Sequence, residues 1–293
     1  MDYAKLKRRP SYPIETIAVS VAFTPRLGVL LAEAHKLTQQ LSATLLIIHI
    51  GEKTQEKEDY LEGAFHSLGI NQNEFRIIWM EGDVVDTLLH VCKLNIVDLL
   101  ILGALPKEQY WRLFAGSISR SICRKAKTSV LLLNDPLISI QHTKRVVVNG
   151  KDHPKTPHTI NTAVYFLDAI GVKEFTVVTE IENSTLAMTM AEETTAPEAL
   201  KIKKDFTQEE LSRITPLLNQ LKESRADFKI NEKIIYGKAG YEIRSFAKKK
   251  HADLLIVNSS DRKLNMLDRL FTHGLEYILE DLPCNLLIVH SRV

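Results

Sequence analysis

The sequence contains few cysteines, few aromatic residues and almost no net charge. Its three cysteines, Cys92, Cys123 and Cys284, lie far apart and form no Cys-x-x-Cys pair. This pattern predicts reduced thiols in a cytoplasmic protein, with no disulfide framework and no cysteine-based metal site. The formal net charge is only +2 and aromatic residues make up 7% of the chain. Since no basic stripe with interleaved aromatic residues is visible, nucleic acid is not expected to be the main partner.

The chain also lacks long apolar segments. No apolar run approaches the roughly 18 residues that a membrane-spanning helix requires. The first residues, MDYAKLKRRPSYP, are basic without the apolar centre of a signal peptide. We therefore expect no contact with a membrane. The chain has 293 residues, 45% of them hydrophobic, which is enough for two domains with sizeable cores.

The sequence contains two related halves. Residues 79–103 and 234–258 align so that Gly82 matches Gly237 and Asp98 matches Asp253 at the same offset. A second pair of segments, one in each half, starts with Arg-Leu-Phe and ends in an apolar run. Each segment reads as a helix followed by a strand, so the second half repeats the elements of the first.

Continuous apolar runs alternate with helix-period segments in both halves. The elements predicted at the start of each half are 17–21, 28–41 and 43–50, then 145–148, 159–170 and 174–179. Continuous apolar strands that alternate with helices are typical of a parallel sheet covered on both faces. We therefore predict an α/β protein with five parallel strands in each half.

The domain boundaries follow from this division. We predict a first domain at 1–137 and a second at 144–293, with a linker at 136–143. The second domain contains a polar insert at about 181–227. In this insert we expect one helix near 208–222, preceded by a disordered stretch, AEETTAPEALK.

The loop after the fourth predicted strand has two glycines. Residues 103–119 read GALPKEQYWRLFAGSIS, in which Gly103 and Gly116 bracket twelve residues and serines follow the second glycine. A tandem five-stranded α/β unit with such a loop resembles the universal stress protein family, over nearly the whole chain and once per half. The resemblance implies two domains similar to flavodoxin and to adenine-nucleotide hydrolases, with strand order 3-2-1-4-5. It also implies a stress-response protein that acts as a binding and signalling module.

The first half retains part of the nucleotide-binding pattern of that family. Binding members carry Gly-x2-Gly-x9-Gly-(Ser/Thr), and three of these four positions match, with Pro106 at the second glycine. Proline has a fixed φ and no N–H to donate to a phosphate. The family also has an aspartate at the end of the first strand, where Ala22 stands here. The resemblance implies ATP or AMP in this half, held by Gly103, Ala104, Gly116, Ser117 and Ser119.

The second half departs further from the pattern. Asn258 and Asp261 replace the first two glycines, and His273 and Gly274 stand near the third. Because the Asp261 carboxylate would repel phosphates, no triphosphate is expected there.

Other interpretations stay open. One alternative is that Gly103 and Gly116 only permit tight turns and bind no ligand. His153 and His158 could bind a metal with His273, although histidines on such a loop are usually surface groups, so no metal is expected. Ser117 has no histidine–acid partner in the sequence and the Gly-x-Ser-x-Gly elbow is absent, so no hydrolase triad is expected. Because no general base is apparent, any hydrolysis of ATP would be slow. A nucleotide-free scaffold or a protein that binds a small metabolite is the alternative.

The final strand of each half is apolar. Val130–Leu133 and Leu286–Val289 would be sheet edges, and uncovered apolar edges invite pairing. In the resembling family such edges meet across a dimer interface. We therefore predict an internal pseudo-dimer in which these two strands are adjacent and antiparallel, while a further homodimer stays open.

Overall fold

Strands and helices alternate along the chain in the computed structural model, which describes residues 12–103, 118–134, 139–151, 153–182, 196–259 and 274–290. The first half contains β1 (Thr16–Ser20), α1 (Leu27–Leu41), β2 (Thr44–Ile50), α2 (Gln55–Leu68), β3 (Phe75–Met80), α3 (Val84–Leu94), β4 (Leu99–Gly103), α4 (Ile118–Lys125) and β5 (Ser129–Leu133). The second half contains β6 (Val146–Asn149), α5 (Thr156–Ala169), β7 (Glu174–Glu182), α6 (Ala196–Ser224), β8 (Lys229–Gly237), α7 (Tyr241–Lys249), β9 (Leu254–Asn258), α8 (Gly274–Glu280) and β10 (Asn285–Val289).

All ten strands form one sheet. Its order is β3-β2-β1-β4-β5-β10-β9-β6-β7-β8, so each half has the internal order 3-2-1-4-5. Pairing within each half is parallel. The predicted α/β fold with two parallel five-stranded units is confirmed.

The two halves join through β5 and β10. These strands pair antiparallel, with Leu287 opposite Leu131 and Ile288 opposite Val130. Every residue of both strands is buried. The predicted adjacency of the two final strands is therefore confirmed, and the edges of the sheet are β3 and β8.

Two apolar cores cover the two faces of the sheet. The first contains residues of α1, α2, α5 and α6, and the second contains residues of α3, α4, α7 and α8. Each core therefore draws side chains from both halves. Polar contacts add to the join, since Arg124 of α4 forms an ion pair with Glu276 of α8. The division into domains at residues 137 and 144 stays a prediction.

The repeated glycines are required by the backbone. Gly82 and Gly237 have φ angles of +136° and +146°, which L-residues rarely adopt. Gly82 follows β3 and Gly237 is the last residue of β8, so each lies between the third strand and the next helix of its half. Their repetition in sequence therefore reflects a turn and gives no indication of a catalytic role.

The repeated aspartates accept backbone hydrogen bonds at the amino ends of the strands. Asp98 Oδ2 accepts hydrogen bonds from the N–H groups of Glu15 and Thr16, both at 2.9 Å. Asp253 Oδ2 accepts equivalent bonds from Lys144 at 3.0 Å and Arg145 at 2.8 Å. In each half the carboxylate thus satisfies the backbone donors at the start of the first strand.

The insert differs from its prediction. The helix expected near 208–222 spans 29 residues, Ala196–Ser224, so the last six residues of AEETTAPEALK are helical rather than disordered. Pro197 lies in the first turn, where its missing N–H costs no hydrogen bond. The helix connects β7 to β8 as α2 connects β2 to β3. It is therefore a lengthened counterpart of α2 and not an added element.

Among the described helices, none combines the length and the apolar character that crossing a membrane requires.

Candidate functional site

A cavity of about 410 Å³ opens at the carboxyl ends of β1 and β4. Val21 and Ala22 line it directly after β1, Gly103 lines it at the end of β4, and Ser119 lines it at the start of α4. In an open parallel sheet, ligands bind at the point where the strand order reverses. In the first half this point lies between β1 and β4, which pair in the centre of the half. The cavity therefore occupies the position at which this fold binds ligands.

The second half also contributes to the wall. Leu279 of α8 and Leu282, which follows α8, line the cavity together with Leu132 of β5. The Nε of Arg120 on α4, another lining residue, donates to the carbonyl oxygen of Leu279 at 3.3 Å. The tandem arrangement therefore closes one side of the first-half cavity.

The structure brings together two of the five residues predicted to hold phosphates, Gly103 and Ser119. The space around Gly103 does not require glycine, because a Cβ there would lie 3.5 Å from Leu30 Cδ2, an ordinary contact. The other predicted positions, Ala104, Gly116 and Ser117, lie outside the described residues, as does Pro106. The role of these residues stays a prediction.

The charge of the cavity wall favours an anion. Arg26 and Arg120 line the cavity, and none of the described residues that line it is acidic. Two guanidinium groups around a recess lined largely by apolar side chains suit a phosphate-bearing ligand.

Position 22, just after β1, has no side-chain acceptor. Ala22 lies in the cavity wall and presents only a methyl group. Its carbonyl oxygen accepts a hydrogen bond from the Thr24 N–H at 2.8 Å, which forms the turn. The position where the resembling family has an aspartate therefore faces the cavity without one.

His49 is a polar residue of the site that the sequence analysis missed. It lies near the end of β2, lines the cavity and is 8% exposed. Its Nδ1 lies 3.1 Å from the carbonyl oxygen of Val21. Because a carbonyl only accepts, Nδ1 carries the hydrogen. The signal in the sequence is a single histidine inside the apolar strand LLIIHI.

Aromatic side chains hold the His49 ring in place. The ring centroids of Phe23 and Trp79 lie 4.9 Å and 5.1 Å from that of His49, both in edge-to-face geometry. Tyr60 packs edge-on against Phe23 at 5.9 Å. This packing, together with the bond to Val21, fixes the orientation of the imidazole.

Side chains pack closely at the corresponding strand ends of the second half. The Asn258 amide nitrogen donates to Thr156 Oγ1 at 3.0 Å. A Cβ on Gly150, which follows β6, would lie 2.6 Å from Val177 Cγ1 and 2.8 Å from Ile214 Cδ1. The side chains of β7 and α6 thus pack directly against the strand tip.

The other second-half candidates lie in a turn, in helices or outside the described residues, with His158 in α5. His153 Nδ1 accepts a hydrogen bond from the Lys155 N–H at 3.1 Å, so this nitrogen stabilises the start of α5. Gly274 begins α8 and packs against Gly240. Asp261 and His273 lie outside the described residues.

Comparison with known proteins agrees with the fold. No curated protein sequence matches the chain significantly. A functionally unknown protein from Pseudomonas aeruginosa superposes with a TM-score of 0.66 at 13% identity, covering 98% of this chain and 95% of that one. A universal stress protein from Archaeoglobus fulgidus superposes with a TM-score of 0.62 at 10% identity, covering 96% of this chain and 100% of that one. The family model described as the universal stress protein family matches residues 143–290, half of the chain. With the duplicated 3-2-1-4-5 sheet, this match shows that the chain belongs to the universal stress protein family.

Proposed function

We propose that this protein is a stress-response binding module that takes an adenine nucleotide, AMP or ATP, into the cavity of its first half. The observation that carries the proposal is the recess of about 410 Å³ at the ends of β1 and β4, lined by two arginines and by no described acidic residue. Its volume lies in the range of small-molecule sites, roughly 300–1,000 Å³. The cytoplasmic location of the protein and its further homodimer stay proposals from the sequence.

The phosphates would lie at the β4–α4 side of the cavity. Gly103 lies there beside Ser119, whose hydroxyl can donate to a phosphate oxygen. The backbone of Gly103, Ala104 and Gly116 and the hydroxyl of Ser117 complete the proposed set. Arg26 and Arg120 add positive charge to the site, but they do not make it specific for AMP or for ATP.

We assign no catalytic residue to this site. Hydrolysis of a bound nucleotide needs a group that activates water. The described cavity wall contains no carboxylate, and its histidine, His49, lies on β2, which β1 separates from the β4–α4 side proposed for the phosphates. The proposed role is therefore binding, with slow hydrolysis at most.

Calorimetric titration with AMP and with ATP tests the proposal. A ligand that binds the native state must stabilise it, by about 2.7 kcal/mol at a hundredfold excess over the dissociation constant. We expect heat of binding and a raised melting temperature in wild type, and loss of both in Gly116→Asp. Gly63→Asp is the matched control, because Gly63 is exposed on α2 with open space around its Cα. Absence of heat and of stabilisation at millimolar nucleotide would reject nucleotide binding.

A second function is favoured by the apolar part of the wall. Leu27, Leu30, Leu102 and Ile122 line the cavity, and apolar walls with few polar groups suit small metabolites generally. A nucleotide-free protein that binds such a metabolite would show no response to AMP or ATP and would be stabilised by uncharged apolar compounds.

A further inference from the structure

Arg120 lies between the cavity of the first half and helix α8 of the second half. It belongs to the first turn of α4, directly after Ser119, and is a partly buried residue of the cavity wall. Its Nε donates to the carbonyl oxygen of Leu279, in the last turn of α8, at 3.3 Å. The last carbonyl groups of a helix have no partner within the helix, so this bond satisfies one of them. One side of the guanidinium group is therefore held by the second half.

The other side of this guanidinium group is available to a ligand. Within the described part of the chain, Nη1 and Nη2 of Arg120 form no hydrogen bond and no ion pair. The described cavity wall also contains no carboxylate that would neutralise the charge. An arginine presents its N–H groups as a planar fork that fits the oxygens of a phosphate. Because the bond from Nε limits rotation of the group, the fork is already oriented before a ligand arrives.

Helix α8 is a firm support for this bond, because both of its neighbouring helices hold it. Arg124, one turn further along α4, forms an ion pair with Glu276 of α8. From α7, Nη1 of Arg244 donates to the carbonyl oxygen of Tyr277 at 3.0 Å. The carbonyl oxygen of Leu279 therefore keeps its position relative to α4 and to the cavity.

We propose that Arg120 selects a phosphate-bearing ligand in the cavity and that α8 of the second half is the element that holds it in binding geometry. The inference rests on the proposed nucleotide binding and gives the second half a role in it. A charge that only attracts the ligand could come from any cation. A group that bonds Leu279 and a phosphate at the same time has to be a guanidinium, because lysine carries a single ammonium on a flexible chain. The site is then shared by the two halves.

Two ligands and two substitutions of Arg120 test this role. AMP and adenosine differ only in the phosphate, and each is titrated by calorimetry into wild type, Arg120→Lys and Arg120→Gln. A hydrogen bond to a charged group corresponds to roughly tenfold to a hundredfold in affinity. We expect Arg120→Gln to lose this factor for AMP and to keep its affinity for adenosine. Arg120→Lys is expected to resemble Arg120→Gln, because it keeps the charge and loses the fork.

The matched control is Arg213→Gln. Arg213 is exposed on α6 and pairs with Glu209 and Glu210, so its substitution also removes one arginine charge from a helix. This variant is expected to keep the wild-type affinity for AMP and for adenosine. An equal loss of AMP affinity in Arg213→Gln and Arg120→Gln would show an effect of net charge and would overturn the assignment.

The same titrations separate this assignment from the proposed function. Unchanged AMP affinity in Arg120→Gln, or an equal loss for AMP and adenosine, would overturn the assignment and leave nucleotide binding intact. Full AMP affinity in Arg120→Lys would show that charge alone is sufficient and would overturn the role of α8. If wild type does not bind AMP, the proposed function is wrong and the assignment falls with it.

Hydrogen exchange of wild type covers the case in which the Arg120 variants do not fold. If Arg120 links a bound phosphate to α8, saturating AMP slows amide exchange severalfold in residues 274–282, and adenosine does not. Exchange in α6, also in the second half, is the internal reference for a general gain in stability. Unchanged exchange in 274–282 relative to α6, or the same slowing with adenosine, would overturn the role of α8.

Discussion

Glu180 makes the stability of this protein depend on pH in a direction unusual for a carboxylic acid. It lies near the end of β7 and is 8% exposed. Its Oε1 accepts hydrogen bonds from the N–H groups of Gly240 and Ile243, both at 2.9 Å, at the start of α7. Its Oε2 is buried without a hydrogen-bond partner among the described residues. Burial raises the pKa of Glu180 to about 7, although the two N–H groups act in the opposite direction.

The sign follows from proton binding in the two states. Between the ordinary pKa of 4.5 and the folded value of about 7, the native carboxyl holds a proton that the unfolded chain has released. Stability therefore falls as pH rises through this window. At 1.36 kcal/mol per pH unit, the difference corresponds to roughly 3 kcal/mol. The contribution is fully present below pH 4.5 and is lost above pH 7.

Glu180→Gln removes the charge and keeps the shape of the side chain. Urea unfolding at pH 5 and at pH 8 gives the free energy of unfolding of both proteins. We expect the variant to gain roughly 3 kcal/mol relative to wild type between the two pH values, because only Glu180 has to ionise in the folded protein. Glu62→Gln, at an exposed position of α2, is the control and shows no such change. A constant difference between Glu180→Gln and wild type at both pH values would refute the reasoning.

Four further substitutions test the side-chain packing and one pair of backbone hydrogen bonds. Leu287→Ala at the β5–β10 join, where Leu287 is 1% exposed, is expected to lower the free energy of unfolding by about 2–5 kcal/mol; a loss below 1 kcal/mol by urea titration would contradict a shared core. Gly150→Ala forces a Cβ against Val177 and should cost about 1–3 kcal/mol, whereas Gly63→Ala on open α2 should stabilise by about 0.5–1 kcal/mol. Equal melting temperatures of these two variants would show that the tip of β6 is not closely packed. Asp98→Ala should cost about 1–3 kcal/mol, because it leaves the partly buried N–H groups of Glu15 and Thr16 without their acceptor; an unchanged melting curve would contradict this role.

The sequence predicted the site residues that lie next to the ends of strands. It did not predict those whose neighbours depend on the register between two strands. Gly103 and Ser119 flank the loop after the fourth strand, so a prediction of the parallel sheet already places them at its carboxyl edge. His49 was missed because its partner, the Val21 carbonyl, belongs to a different strand. Only the parallel pairing of β1 with β2 shows that the two residues are neighbours.

The sequence by itself determined the fold class, the duplication and the antiparallel meeting of Val130–Leu133 with Leu286–Val289. Continuous apolar strands that alternate with helices are typical of a covered parallel sheet, and pairing of two apolar edges in one chain, as across the dimer interface of the resembling family, covers both of them. Only the tertiary structure decided that the helix between β7 and β8 includes Ala196–Ser224, that Gly150 is closed in by Val177 and Ile214, and that Leu279 and Leu282 line the cavity of the first half. These features depend on contacts between side chains that are distant in sequence, and neither periodicity nor residue spacing encodes such contacts.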